Sequence, residues 1–166
     1  MEEGIEISIE YSDKDIRQSM SYFILHIRSM WVFYLCLLIL TGFILVISAI
    51  NGFSGFYSYL PLVFIVIDCI LYLLYYLKPI NQYVNYYKRS RKQVLFIFRK
   101  NDISTVGNAA RATYEWSVFK RAHVTPYSLL LVDSNRFVHI LPKNQINSKE
   151  DYENLQKFFT NKVGPI

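Results

Sequence analysis

The sequence predicts an α+β membrane protein, in which a two-span transmembrane helical hairpin carries a small antiparallel-sheet domain capped by a C-terminal helix. The chain has 166 residues, of which 52% are hydrophobic and 17% aromatic. This apolar excess is concentrated between Met30 and Leu77. Alternating and strand-like patterns lie on both sides of it. The predicted parts are residues 1–29 (strand and amphipathic helix), 30–77 (hairpin), 78–92 (basic juxtamembrane segment) and 93–166 (β-rich domain).

The first span is predicted at residues 30–50, a segment without a charged residue. Its length meets the requirement of about 20 apolar residues for a helix that crosses a bilayer. The preceding residues 1–29 are mostly polar or amphipathic, and no small-residue cleavage site follows a short apolar run. A cleaved signal peptide is therefore not expected.

The second span is predicted at about residues 56–77, although it contains Asp68. A central aspartate costs roughly 2.5–3.5 kcal/mol on insertion scales, whereas each Leu, Ile, Phe or Val returns about 0.3–0.6 kcal/mol. With about thirteen such residues in the segment, insertion remains favourable. Residues 51–55 allow only a tight turn, so the two spans form an antiparallel hairpin. Lys and Arg are absent from that turn and flank the hairpin on both outer sides, which places both termini in the cytoplasm.

Asp68 is the most unusual residue of the hairpin, because ionisable side chains at membrane depth usually face a partner or a cavity. The spans contain no Lys, Arg or His as a counterion. Three hydroxyls of the first span can approach it, at Tyr34, Thr41 and Ser48, and Thr41 lies nearest mid-membrane. We therefore predict a polar contact between Asp68 and Thr41. A structural hydrogen bond, a contact with a second copy or another subunit, and ion or proton transfer all remain open as its role.

A basic cluster follows the second span and is the predicted lipid-surface site. Each Lys or Arg near an anionic leaflet gains about 1 kcal/mol. These charges either only fix the orientation of the hairpin or also bind lipid headgroups. The predicted binding residues are Lys88, Arg89, Arg91 and Lys92.

The flanks of the hairpin show alternating and helical periods. Residues 5–12 predict a strand, and the capping-box pair Ser12 and Asp15 predicts the start of an amphipathic helix that packs on the sheet or lies on the membrane surface. Pro79 is expected to start or kink a helix. Strand-like runs occupy residues 93–99, 103–107, 110–124, 128–133 and 136–141, residues 133–135 predict a turn, and a capping box at Ser148 and Asp151 predicts a terminal helix with Tyr152, Leu155, Phe158 and Phe159 on one stripe.

The sequence offers few candidates for catalysis. Cys36 and Cys69 lie within the apolar stretches, and His26, His123 and His139 are scattered without ligand spacing. We therefore expect no cofactor, no metal and no enzyme activity, unless folding gathers Asp102, Glu115 and His123 in one polar pocket. The net charge of +5 favours an acidic partner, and membrane lipids are the nearest one, so no nucleic acid is expected.

Residues 114–159 contain a strand tryptophan, a following lysine, an Ile-Leu-Pro-Lys strand end and a capped helix, at Trp116, Lys120, Pro142, Lys143 and Ser148. With this pattern they resemble the C-terminal domain of YcxB-like bacterial membrane proteins. The resemblance implies a pleckstrin-homology-like (PH-like) sheet domain and a multi-pass protein of the bacterial inner membrane, and it implies no biochemical activity.

Two functional hypotheses follow from these observations. The first is a membrane-anchored scaffold or interaction module that binds a protein partner, a second copy of itself or an anionic lipid surface. The alternative is an immunity or regulatory subunit of a membrane-active toxin or transporter.

Overall fold

The structure is a computed structural model that describes residues 5–90, 93–107, 111–146 and 148–163, without the side chains of Phe56 and Ser90. It divides into two compact units. The sheet unit comprises Met1–Met20 and Tyr83–Ile166, and the hairpin unit comprises Ser21–Gln82. Each unit is described by itself.

Within the described ranges the chain forms seven strands and five α-helices. The strands are β1 Ile5–Glu10, β2 Gln93–Phe98, β3 Asp102–Gly107, β4 Arg111–Glu115, β5 Phe119–Val124, β6 Ser128–Asp133 and β7 Val138–Pro142. The helices are α1 Asp13–Tyr22, α2 Met30–Ile50, α3 Leu60–Tyr72, α4 Lys78–Ser90 and α5 Lys149–Val163.

The described strands form two antiparallel sheets, with the orders β1-β2-β3-β4 and β5-β6-β7, rather than the single small sheet predicted. Strand β1 comes from the N-terminal flank and pairs with β2, with Glu10 opposite Gln93. Its predicted alternation is confirmed, because Ile7 and Ile9 are buried between exposed neighbours. The first sheet therefore joins chain segments from both sides of the hairpin.

The predicted strand-like run at residues 110–124 is wrong as a single element. A short 3-10 turn at Trp116–Val118 divides it into β4 and β5, which belong to different sheets. The Trp116 side chain is buried there, and its Nε1 donates a hydrogen bond to the Arg99 carbonyl at 3.0 Å. This anchor turns the chain from one sheet to the other, and a hydrophobic pattern that continues on both sides of the turn does not reveal it.

The terminal helix α5 begins and packs as predicted. The N–H of Asp151 donates to Ser148 Oγ at 2.9 Å, which caps the first turn. Leu155 and Phe159 are buried, and the Phe159 ring lies 5.4 Å from that of Phe98 on β2. Helix α5 thus closes the aromatic core of the sheet unit.

Helix α1 also begins at its predicted capping residues. The Asp15 N–H donates to Ser12 Oγ at 3.1 Å, and the Ser12 hydroxyl donates back to the Asp15 carboxylate at 2.6 Å. Ile16 and Met20 are almost fully buried within the protein. Their burial shows that protein atoms, rather than a membrane surface, cover this face of α1.

The second hairpin helix differs from the prediction at both ends. Residues Gly55–Ser58 form a 3-10 turn, so α3 begins at Leu60 rather than near residue 56. At the other end, a π turn at Leu73–Leu77 joins α3 to α4 in one continuous helix, Leu60–Arg89. Pro79 therefore does not start a new helix. The wider π turn immediately precedes it, where a proline ring would crowd the carbonyl four residues earlier.

The outer edge of β7 is closed by tyrosine hydroxyls. Tyr83 accepts from the Val138 N–H at 3.0 Å, and Tyr87 donates to the Val138 carbonyl at 3.2 Å. Tyr87 also accepts from the Ile140 N–H at 3.3 Å, and Tyr11 donates to the Ile140 carbonyl at 2.6 Å. These hydroxyls form hydrogen bonds with backbone N–H and C=O groups that an exposed edge strand would otherwise offer to another chain.

Tyr87→Phe is expected to destabilise the sheet unit more than Tyr83→Phe. It leaves two buried backbone groups, on Val138 and Ile140, without their hydroxyl partner, and each such group costs roughly 1–3 kcal/mol. Tyr83→Phe removes the partner of one group. Denaturant titration in detergent, followed by Trp116 fluorescence in a Trp31→Phe background, measures both. Wild-type stability of Tyr87→Phe would contradict this account of the edge.

Candidate functional site

The hairpin unit brings Asp68 on α3 into contact with Thr41 on α2. Thr41 Oγ1 donates a hydrogen bond to Asp68 Oδ2 at 2.7 Å. Thr41 and Ser48 are both buried, and with Tyr34 they recur every seven residues along α2. This spacing keeps side chains on one face of a helix that packs against a neighbouring helix, so the polar side chains of α2 are directed toward α3.

The second carboxylate oxygen of Asp68 differs from the first. Asp68 Oδ1 is shielded from solvent and has no hydrogen-bond partner within the described part of the chain. The same holds, among those residues, for the Tyr34 hydroxyl and for Ser48 Oγ. Of the three hydroxyls considered from the sequence, Thr41 is the one that bonds Asp68. Asp68 therefore keeps one acceptor oxygen that forms no hydrogen bond, and the hydroxyl of Tyr34 on α2 also forms none among the described residues.

Asp68 and Tyr34 both line an apolar cavity of about 710 Å³ in the hairpin unit. Two further tyrosines line it, and the rings of Tyr72 and Tyr76 stack at 5.0 Å. The Tyr34 ring meets that of Tyr72 edge-on at 6.1 Å. Among the described residues, the lining is Leu25, Tyr34, Leu37, Leu38, Asp68, Cys69, Tyr72, Leu73 and Tyr76. We refer to this cavity as the Asp68 groove.

Sequence reasoning did not include Tyr72 and Tyr76 in the site. Both were available as a signal, because they follow Asp68 by four and eight residues and such spacings share one helix face. However, tyrosines near the end of an apolar helix are also typical of the membrane interface. The sequence alone does not distinguish that position from a position in a groove.

The predicted lipid-surface residues have different surroundings. Lys88 Nζ forms an ion pair with Asp13 at 2.7 Å, although both side chains remain about half exposed. Arg89 is exposed. Arg91 and Lys92 lie outside the described residues. An exposed ion pair contributes at most about 1 kcal/mol, so Lys88 is only weakly held by its partner.

The polar residues that would have supported an enzyme are not gathered together. Asp102 and Glu115 are opposite each other in the first sheet and line a polar cavity of about 600 Å³, but His123 does not line it. His123 lies on β5, where burial and then the charge of Arg121 lower the pKa of its imidazole. Among the described residues, no three His, Cys, Asp or Glu side chains lie close enough together to hold a metal ion.

His139 is a core residue rather than a surface residue of the sheet. Its side chain is buried among the rings of Tyr114, Phe119 and Phe137, at 5.1–5.8 Å between centroids. Its Nε2 lies 3.6 Å from Asp133 Oδ2. This position is that of a packed aromatic side chain.

Comparison with known proteins bears on the sheet unit. Residues 98–159 match the family model described as YcxB-like protein. The resemblance predicted from the sequence is confirmed over this segment, which runs from the end of β2 into α5. No curated protein and no solved structure matches the chain. The YcxB-like segment does not include the hairpin, so the match carries no information on Asp68.

Thr41→Val is expected to weaken the packing of α2 against α3, because it keeps the shape of the side chain and removes the donor to Asp68. Hydrogen bonds between helices in membranes contribute about 0.5–2 kcal/mol. Thr41→Ser keeps the hydroxyl and serves as the matched control. Unfolding of the purified protein in mixed micelles, titrated with sodium dodecyl sulfate, measures the difference. Equal stability of the Val and Ser variants would show that the bond does not hold the hairpin.

Proposed function

We propose that this chain is a non-enzymatic, multi-pass protein of the bacterial inner membrane. In this proposal α2 and α3 cross the bilayer, and the sheet unit is a PH-like cytoplasmic module that binds the anionic lipid surface and a protein partner. The observation that carries the proposal is the exposed apolar surface of the hairpin. Leu38, Ile39 and Phe43 each expose more than 60% of their surface.

This exposure argues against a core helix of a soluble protein. The apolar segments within Met30–Ile50 and Leu60–Arg89 are only 17% and 6% buried, respectively. A core helix hides its apolar face, and soluble proteins rarely expose contiguous apolar patches of more than a few hundred Å². Hydrocarbon chains would cover this surface, and helices hydrogen-bond their own backbone, as that environment requires.

The strand arrangement supports the PH-like assignment. Antiparallel sheets of four and three strands are followed by a helix that covers their aromatic core. The pairing of β1 with β2 places the whole hairpin between two adjacent strands of one sheet. The module is thereby attached to the hairpin by two chain segments.

Charge supports the proposed orientation and the lipid contact. Residues 51–55 contain no Lys or Arg, whereas Arg89 lies at the end of the long helix and Arg91 and Lys92 come next in the sequence. Cytoplasmic ends of spans carry such an excess, and an anionic leaflet attracts it. For a protein partner, β4 is the candidate strand, because it ends the first sheet and has exposed residues at alternate positions.

Extraction of the protein in native-lipid particles tests this proposal. The triple variant Arg89→Glu, Arg91→Glu, Lys92→Glu is expected to retain at most about half of the anionic lipid retained by the wild type, because three attractive contacts of about 1 kcal/mol each become repulsive. The matched control reverses three exposed lysines of α5, Lys149, Lys157 and Lys162. Lipid mass spectrometry and intact mass are the measurements, and extra protein mass identifies a partner.

The possible failures are distinct. A chain that stays in the aqueous fraction would overturn the membrane assignment. A chain that enters the particles with equal anionic lipid in both triple variants would overturn only the lipid contact.

A further inference from the structure

We propose that the Asp68 groove is a binding site for a lipophilic organic cation, such as a hydrophobic amine or quaternary ammonium compound. The Asp68 carboxylate is its counterion, and the rings of Tyr34, Tyr72 and Tyr76 surround its charge. This inference rests on the proposed position of the hairpin in a membrane and goes beyond it by assigning a ligand class.

The shape of the groove suits a single small organic molecule. Its volume of about 710 Å³ lies within the range of small-molecule sites, about 300–1,000 Å³. The lining is apolar except for the Asp68 carboxylate, the tyrosine hydroxyls and the Cys69 thiol. Such a surface binds the hydrocarbon part of a ligand and offers one charged group to fix its orientation.

The carboxylate is arranged to receive a cation. Thr41 holds Oδ2 at 2.7 Å, and Oδ1 is left without a hydrogen-bond partner among the described residues. One oxygen is therefore fixed, whereas the other is shielded from solvent and keeps an unused acceptor, which the Asp68 side chain must turn toward the groove to meet a ligand. In a medium of low dielectric constant, an opposite charge beside this oxygen is attracted more strongly than in water.

Among the described residues, the lining of the groove contains no Lys, Arg or His. Within the hairpin unit, Arg28 lies over the ring of Phe23 at 5.3 Å. Lys78 follows Asp68 by ten residues, about 15 Å along a helix. The His26 ring lies beside that of Tyr22, at 4.6 Å. A second copy has the same sequence and so also lacks a cation at this depth, which favours a small ligand over a self-contact.

The tyrosines favour an organic cation over a metal ion. Aromatic faces within about 6 Å attract ammonium groups, and cages of this kind bind quaternary ammonium ligands. Tyr72 and Tyr76 form a stacked pair at 5.0 Å, with Tyr34 edge-on to it. A metal ion would need several oxygen, nitrogen or sulfur ligands, whereas Asp68 is the only carboxylate of the lining.

Binding of tetraphenylphosphonium to the full chain in lipid nanodiscs tests the inference. We expect saturable binding to the wild type, with affinity lowered at least tenfold in Asp68→Asn, which keeps the side-chain shape and removes the charge. Tyr72→Ala is expected to weaken binding about threefold or more, by loss of a cation–π contact. Tyr75→Ala is the matched control, because Tyr75 is exposed on the same helix and does not line the groove. Triphenylphosphine oxide is the neutral probe.

Three outcomes would contradict the inference. Equal binding to wild type and Asp68→Asn would mean partition into lipid only. An equal loss of probe affinity in Tyr72→Ala and Tyr75→Ala would mean that the substitutions disturb the helix in general. A dimer that dissociates in Asp68→Asn and does not bind the probe would make the groove an interface between copies. All these results require a chain that enters the nanodiscs, so they leave the membrane assignment intact, whereas failure to enter them counts against that assignment.

Discussion

The outward-facing apolar surface of α2 and α3 is the constraint on which the account of this molecule depends. Leu38, Ile39 and Phe43 each expose more than 60% of their surface, and the proposed membrane position gives this surface an apolar solvent. In hydrocarbon a buried polar group without a partner is costly. Thr41 provides a hydrogen-bond partner for one oxygen of the Asp68 carboxylate. The other oxygen, Oδ1, is shielded from solvent and has no hydrogen-bond partner among the described residues.

The sheet unit depends on the chain segments that flank the hairpin. Strand β1 pairs with β2 across the whole inserted hairpin. Tyr11 and Tyr87, which also come from the two flanks, contact each other with ring centroids 4.2 Å apart and bond the outer edge of β7. The same contacts that complete the sheets therefore hold the entry to and exit from the hairpin together. The unit cannot be reduced to the YcxB-like segment, because its first strand and edge cover lie outside residues 98–159.

Local sequence signals predicted the elements well where the chemistry is local. Both capping boxes, at Ser12 and Ser148, and the alternation of β1 follow from neighbouring residues alone. The signals failed where distant contacts decide the structure. The turn at Trp116 depends on a bond to the Arg99 carbonyl. The Thr41–Asp68 pair was accessible to sequence reasoning because the tight turn fixes the helix pairing. The Asp68 groove was not accessible in the same way, because tyrosines near the end of an apolar helix are also typical of the membrane interface.

The most direct test of the account is the environment of a spin label at Ile39, in a chain whose Cys36 and Cys69 are replaced by serine. In reconstituted vesicles, power saturation compares collisions with oxygen, which concentrates in hydrocarbon, and with a water-soluble nickel chelate. A label at Ser134, in the exposed turn between β6 and β7, is the control. If hydrocarbon covers the hairpin, Ile39 is accessible to oxygen and protected from nickel, while Ser134 shows the reverse. Equal nickel accessibility at the two positions would contradict the claim that hydrocarbon covers the hairpin.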